Sequence, residues 1–177
     1  MREDHVDRFL RELAVLPPEV DIDLDVEALV DRIHSISRRI RRAMEATLAE
    51  YGLSHAEWDV LVQLRLAPPP HVSSPGALAE HCDLSSGGMT SRLDRLEQAG
   101  LVRRLPDPDD RRGVVVQLTD EGRDAWDAAA SVQGRKEAFF ASALTKAELG
   151  RLIDLLRKLL LALEDRADAS HTARVAG

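Results

Sequence analysis

The fold of this chain is decided by residues 93–122, which read LDRLEQAGLVRRLPDPDDRRGVVVQLTDEG. Gly100 follows a run in which Met89, Leu93 and Leu96 recur at helical spacing and share one apolar face. Glycine readily takes the left-handed conformation that ends a helix, so the helix is predicted to stop at Gly100.

Two strands are predicted after this glycine. Leu101–Leu105 is one, and residues 113–118 alternate along their length with the β-branched residues typical of a strand. Between them, residues 106–110 contain two prolines and three aspartates, which favour a turn. Thr119 is the predicted N-cap of the next helix. A strand, a turn and a returning strand directly behind a helix form a wing.

Helical periodicity and capping residues organise the chain before the wing. A short amphipathic helix is predicted over residues 3–14, and a long helix runs from about Asp25 to a stop at Gly52. Ser54 and Glu57 are predicted to form a capping box, in which each side chain bonds the backbone amide of the other residue. This box marks the start of a third helix.

Residues 75–100 have the pattern of helix, short turn and helix. Ser74 and Pro75 are suited to the N-cap and first position of the first of these helices. Ser85 caps the second, which continues to Gly100. This spacing predicts a helix-turn-helix immediately before the wing.

After the wing, residues 119–143 are predicted to be helical, and Thr145 with Glu148 opens a terminal helix that carries a leucine stripe. The leucine stripe needs a partner surface, which predicts dimerisation. The fold class is therefore mainly α with a small β-hairpin, a winged helix-turn-helix flanked by long dimerisation helices. The predicted regions are an N-terminal extension (1–24), a helical dimerisation region (25–53 and 119–165), a DNA-binding region (54–118) and a flexible tail (166–177).

The charge of the chain is uneven. The 177 residues have a net charge of −7, but residues 1–31 alone hold ten acidic and three basic side chains. The rest of the chain is therefore neutral, with 21 of each sign. The acidity belongs to the N-terminal extension, so it does not argue against a DNA partner for the predicted winged helix.

Other sequence features narrow the protein class. One cysteine excludes an intramolecular disulfide framework, and no apolar run reaches the roughly 18 residues that span a bilayer. The N-terminus is too charged for a secretory signal, which favours a cytoplasmic location. No nucleophile elbow, phosphate-binding loop or metal-ligand spacing is present. We expect neither an enzyme nor a bound cofactor or metal.

The chain resembles the MarR family of bacterial transcriptional regulators. The resemblance rests on GLVRRLPDPDDRRGVVVQLTDEG at 100–122, MTSRLDRLE at 89–97 and GLSHAEWDVL at 52–61, and it covers roughly residues 27–165. It implies a dimer built from the first and last long helices, with a winged helix in each subunit. It also implies transcription regulation by a ligand-responsive repressor, with a small anionic or aromatic effector and a pseudo-palindromic double-stranded DNA operator.

The recognition helix and the wing are the expected DNA contacts. At the start of the recognition helix, paired glycines would let the backbone approach a phosphate or a base edge. Arg92 could reach guanine and Thr90 a thymine methyl. In the wing, the resemblance pairs Asp110 with Arg112, and an arginine there could enter the minor groove. The expected contacts are Ser85, Ser86, Gly87, Gly88, Met89, Thr90, Ser91, Arg92 and Arg95 in the helix, and Asp110, Arg111 and Arg112 in the wing.

Dimerisation is assigned to two apolar stripes that one thin monomer is too small to cover. One stripe lies on the first long helix and the other on the terminal helix. The assigned residues are Leu29, Ile33 and Ile36 together with Leu149, Leu152, Leu156, Leu159 and Leu163.

Several residues have two interpretations. Arg92 and Arg95 are either DNA contacts or helix charges paired with acidic neighbours. The run Arg38, Arg39, Arg41 and Arg42 is either a solvated face or an anionic ligand site. Arg103 and Arg104 lie on opposite strand faces, so one of the two is expected to pair internally.

Cys82 is interpreted as a small filler of the turn rather than a redox sensor. Trp58 is assigned to packing in the core or at the dimer interface. The competing function class is a winged-helix protein-interaction module without DNA binding, which would not need Arg111 and Arg112 at its wing.

Overall fold

The computed structural model describes residues 2–16, 22–108, 110 and 113–175, with side chains described up to Arg166. The chain divides into two compact units, Met1–Gln133 and Gly134–Gly177. The helices are α1 (His5–Leu13), α2 (Leu24–Glu50), α3 (His55–Leu66), α4 (Pro75–His81), α5 (Ser86–Gln98), α6 (Asp120–Ala141) and α7 (Lys146–Val175). The strands are β1 (Val72–Ser73), β2 (Val102–Pro106) and β3 (Val114–Leu118). The predicted fold class is confirmed.

The helix boundaries follow local capping chemistry. Ser54 and Glu57 form both bonds of the predicted capping box at the start of α3. Ser74 accepts from the amide of Ala77 at the start of α4, where Pro75 occupies the first position. Gly52 has a positive φ of 68° just after the end of α2, as a glycine stop requires.

The wing belongs to a three-stranded antiparallel sheet of order β1-β3-β2. The predicted hairpin is present, with Arg104 opposite Val116. Pro106 is the last residue of the edge strand β2, where its missing N–H is tolerated. The sequence prediction missed β1, because two residues are too short to show a strand periodicity.

One aliphatic core holds the first unit together. It joins residues from α2 to α6, and Trp58 from α3 stacks on Trp126 from α6 with ring centroids 5.5 Å apart and planes 8° from parallel. The Arg65 guanidinium lies 5.4 Å from the centre of the Trp126 ring and forms an ion pair with Asp127. The packing assignment for Trp58 is therefore confirmed within a single chain.

The N-terminal extension is docked on α2 rather than detached. Val6 is buried, and the His5 ring nitrogen lies 2.8 Å from the Ser35 hydroxyl. Arg32 of α2 forms ion pairs with Asp4 and Asp7 at the start of α1. Apolar burial and polar contacts therefore both hold α1 against α2.

The second unit contains the end of α6 and the long helix α7. Thr145 and Glu148 form the predicted capping contacts, with the Thr145 amide 2.8 Å from the Glu148 carboxylate. The backbone of α7 is helical to Val175, and the flexible tail predicted for residues 166–177 stays a prediction. None of the helices in the described ranges is long and apolar enough to cross a membrane.

Gly122 of α6 lies very close to the backbone of Leu101, the residue just before β2. A Cβ placed there would lie 2.0 Å from the Leu101 carbonyl oxygen, which is backbone and cannot move aside freely. A Cβ at Gly134 in the same helix would meet nothing within 4 Å. The two glycines therefore form a matched pair for substitution.

We expect Gly122→Ala to lower the free energy of unfolding by about 2–4 kcal/mol, because the methyl group must displace packed backbone. Gly134→Ala should raise it by up to about 1 kcal/mol through helix propensity. Urea denaturation of both variants at one protein concentration measures the difference. Equal stability of the two variants would contradict this close approach.

Candidate nucleic-acid interface

The helix α5 is the centre of the site, because it presents one buried and one open face. Met89, Leu93 and Leu96 are each 1% exposed and belong to the core. Ser85 caps the helix by accepting from the Gly88 amide at 3.2 Å. The inclusion of Met89 among the DNA contacts is therefore wrong: its side chain supports α5 from below and does not reach the open face.

The open face of α5 carries small and hydroxyl side chains in its first turns. Ser86, Gly87, Thr90 and Ser91 are all exposed. The Thr90 hydroxyl donates to the Ser86 carbonyl at 2.9 Å, which satisfies its proton within the helix. A Cβ at Gly87 would meet nothing within 4 Å, so packing does not require a glycine at that position.

Arg92 lies at the edge between the two faces. It is half-buried, and its Nη1 donates to the Gly88 carbonyl at 3.2 Å along its own helix. Its Nε is buried and has no hydrogen-bond partner among the described atoms. Arg92 forms no ion pair with Asp94 or Glu97, the acidic residues near it on α5, which are bound by Arg104.

Arg95 lies on the open face and is 69% exposed. Its Nη1 is 3.7 Å from the Oε1 of Glu57, a carboxylate at the start of α3 that is almost fully buried. Sequence reasoning assigned Glu57 only to a capping box and did not find this contact, since the two residues are far apart in the chain.

Arg104 connects the wing to α5. It lies on β2, where its guanidinium donates to Asp94 at 2.7 Å and to Glu97 at 2.6 Å, and its amide donates to Glu97 at 3.0 Å. These contacts raise the pKa of the Arg104 guanidinium, with the Asp94 hydrogen bond as the largest cause. Arg103 instead donates to the Gln117 side chain at 2.8 Å. Arg104 is therefore the internally paired arginine that the strand pattern predicted.

Backbone hydrogen bonds join described residues on the two sides of the wing tip. The Asp107 amide donates to the Gly113 carbonyl at 3.0 Å, and the Gly113 amide donates to the Asp110 carbonyl at 2.9 Å. A Cβ at Gly113 would lie 2.9 Å from that of Asp107 and 3.1 Å from that of Asp110, which explains the glycine. Arg111 and Arg112 lie outside the described residues, so their predicted roles stay predictions.

The remaining candidates are Cys82 and the histidine side chains. Cys82 is half-buried at the end of α4, and burial, with a smaller contribution from Asp59, raises the pKa of its thiol. A raised pKa leaves less of the reactive thiolate at neutral pH. His81 hydrogen-bonds the Ala77 carbonyl. Among the described residues, no group of three potential ligands could hold a metal ion.

Together these elements define a winged helix-turn-helix protein. The family model described as MarR family matches residues 51–113. The chain is 43% identical over 102 residues to the HTH-type transcriptional regulator PecS of Dickeya dadantii, a match that covers 56% of this chain and spans 61% of PecS. It is 31% identical over 129 residues to the multiple antibiotic resistance protein MarR of Escherichia coli, covering 72% of this chain and 88% of that protein. This chain belongs to the MarR family.

Solved structures have the same fold. YusO of Bacillus subtilis matches with a TM-score of 0.68 at 24% identity, covering 80% of this chain and 99% of YusO. A mutant of E. coli MarR in complex with operator DNA matches with a TM-score of 0.64 at 30% identity, covering 79% of this chain and 99% of that one.

We expect Arg104→Gln to lower the free energy of unfolding by about 1 kcal/mol, because it breaks the bridge and leaves two carboxylates side by side. Arg103→Gln on the other strand face is the matched control and should change stability by less than about 0.5 kcal/mol. Urea denaturation in low and high salt measures both effects. Salt should shrink the Arg104 effect by screening, and identical curves for the two variants would argue against the bridge.

Proposed function

We propose that this chain is a sequence-specific regulator of transcription that binds double-stranded DNA as a homodimer. The observation that carries the proposal is the open face of α5. Gly87 lowers helix stability by about 1 kcal/mol relative to alanine, yet a Cβ would fit there without contact. A glycine that packing does not need, between exposed hydroxyl residues at a helix start, suits close approach of a DNA backbone or base edge.

The comparison with E. coli MarR supports the same conclusion. The MarR structure that contains operator DNA matches this chain over 79% of its length. The interaction-module alternative has no comparable support, and we do not favour it. In the proposed complex, Ser86, Thr90 and Ser91 face the major groove, and the wing lies against the adjacent minor groove.

The homodimer is proposed from two exposed apolar faces. On α2, Leu29, Ile33 and Ile36 are exposed in the single chain. On α7, the exposed members of the stripe are Leu152, Leu156, Leu159 and Leu163, and Leu149 is half-buried. Apolar faces of this size call for a partner surface. A second copy of the chain would cover both faces and would place two recognition helices on one operator.

A ligand-responsive repressor is the form of regulation that we propose. Arg38, Arg41 and Arg42 line a groove of about 640 Å³ along α2, together with His34 and two acidic residues. Arg38 and Arg39 also hydrogen-bond Ser35, so these two arginines are partly held by the helix itself. Guanidinium groups bind carboxylates well, which suits a small anionic or aromatic effector.

The test of the function is selection of bound sites from a random DNA pool. A two-fold dimer should select inverted half-sites whose centres lie about 10 base pairs apart, the spacing of successive major grooves on one side of the duplex. Failure to retain any duplex DNA, or selection of single half-sites with equal affinity, would overturn the proposed dimeric regulator.

Substitutions in the wing and in the helix should weaken this binding differently. Arg112→Ala should lower affinity for all duplexes and reduce the slope of log affinity against log salt by about 1, because one phosphate or minor-groove contact is lost. Arg92→Ala should cost about 1–3 kcal/mol against the preferred operator and relax the choice at one base position.

Fluorescence anisotropy against an operator panel at several salt concentrations separates these effects. Arg123→Ala is the control, since Arg123 is an exposed arginine paired with Asp120 on α6. Wild-type affinity and selectivity in both test variants would mean that these two arginines do not contact DNA.

Dimerisation can be tested on the α7 stripe. We expect Leu156→Glu to convert the dimer into a monomer at micromolar concentration, because it places a charge in an apolar interface. Lys158→Glu changes a residue on the opposite side of the same helix and should leave the dimer intact. Sedimentation velocity measures both, and a stable wild-type monomer would refute the proposed assembly.

A further inference from the structure

Glu57 is a buried acid whose capping role uses only half of its carboxylate. Its Oε2 accepts from both the amide and the hydroxyl of Ser54, each at 2.8 Å. The side chain is 8% exposed. A glutamine at this position completes a capping box as well as a glutamate does. The cap therefore does not explain why a negative charge is buried here.

The second oxygen faces the recognition helix. Oε1 lies 3.7 Å from Nη1 of Arg95, which is within ion-pair range but longer than a hydrogen bond. An open groove of about 400 Å³ is lined by Glu57 and Arg95 together with Gly52 and Ala99. The Arg95 guanidinium therefore has room to move, and a loose ion pair of this kind is weak enough to exchange for another anion.

The strongest competing anion for a recognition-helix arginine is a DNA phosphate. Arg95 is 69% exposed on the open face of α5, and its neighbour Asp94 is already bound by Arg104. Each phosphate that an arginine neutralises releases counterions and adds sequence-independent affinity. A carboxylate that holds the arginine back competes with this contact.

We propose that Glu57 is a positioning residue that competes with DNA phosphate for Arg95 and so limits the general affinity of the recognition helix for duplex DNA. This inference rests on the proposed DNA-binding function. The competition acts on a phosphate contact rather than on base contacts. It therefore lowers affinity for operator and non-operator DNA by the same factor and leaves their ratio unchanged.

The test is Glu57→Gln, which keeps the capping oxygen and removes the charge. We expect affinity for operator and random-sequence duplexes to rise together by about two- to fivefold at low salt. The slope of log affinity against log salt should steepen by up to about 1, as one further phosphate contact forms. Thermal melting of the variant checks that the fold is retained.

Two further variants make the test specific. In an Arg95→Gln background, Glu57→Gln should no longer raise affinity, because the arginine through which it acts is gone. Glu148→Gln is the matched control: Glu148 caps α7 through the same two contacts with Thr145, and has no arginine ion pair among the described residues. It changes the net charge equally and should leave affinity unchanged.

The outcomes separate this inference from the proposed function. If the wild type binds no duplex DNA, the proposed function fails and the inference fails with it. If the wild type binds DNA but Glu57→Gln does not bind more tightly, the inference alone is overturned. The same holds if the gain persists without Arg95, or if Glu148→Gln reproduces it. A gain that depends on Arg95 and steepens the salt slope supports the inference.

Discussion

The burial of one face of α5 is the constraint on which the rest of the first unit depends. Met89, Leu93 and Leu96 are each 1% exposed, and a fully buried aliphatic side chain contributes about 1.5–3 kcal/mol. Because a helix is rigid, burying these three side chains determines the direction of every other residue on α5. Ser86, Gly87, Thr90 and Ser91 are therefore held open to solvent by packing on the far side of the same helix. The presentation of the face that we propose to meet DNA is therefore a consequence of core formation.

The wing is coupled to this helix by charge rather than by apolar packing alone. Arg104 joins Asp94 and Glu97 of α5 to the start of the hairpin, through bonds of 2.6–3.0 Å. A partly exposed bridge of this kind contributes about 1 kcal/mol, which is less than the core residues supply. The bridge mainly fixes the orientation of the wing relative to α5, because an arginine that bonds two partners restricts the angle between the two elements. The bridge thus holds α5 and the base of the wing in one orientation, as the proposed DNA complex requires.

Acidic residues close to the open face of α5 offset the positive charge of the nearby arginines. Asp94 and Glu97 are engaged by Arg104, and Glu57 faces Arg95. The chain outside residues 1–31 carries equal numbers of acidic and basic side chains. An interface with this balance relies less on general attraction to phosphate, and more on shape and base contacts, than a strongly basic one would.

The amino-acid sequence by itself determined the local structure of this protein. Capping residues within one turn set the helix starts at Ser54, Ser74 and Ser85 and the stops at Gly52 and Gly100. The strands of the wing follow from their own alternation and from the turn residues between them, so they too could be read from a short stretch of sequence. The family resemblance rests on the same local motifs.

Only the tertiary structure decided which distant residues meet. Four contacts join residues from different elements: the pairing of β1 with β3, the Trp58–Trp126 stack, the ion pair of Arg95 with Glu57, and the bridge from Arg104 to α5. Folding also decided that Arg104, and not Arg103, forms that bridge. The tertiary structure also showed that Met89 belongs wholly to the core. The physical reason is that a charge or a ring can pair with many partners in a chain of this length, and chain folding alone selects the one that lies within reach.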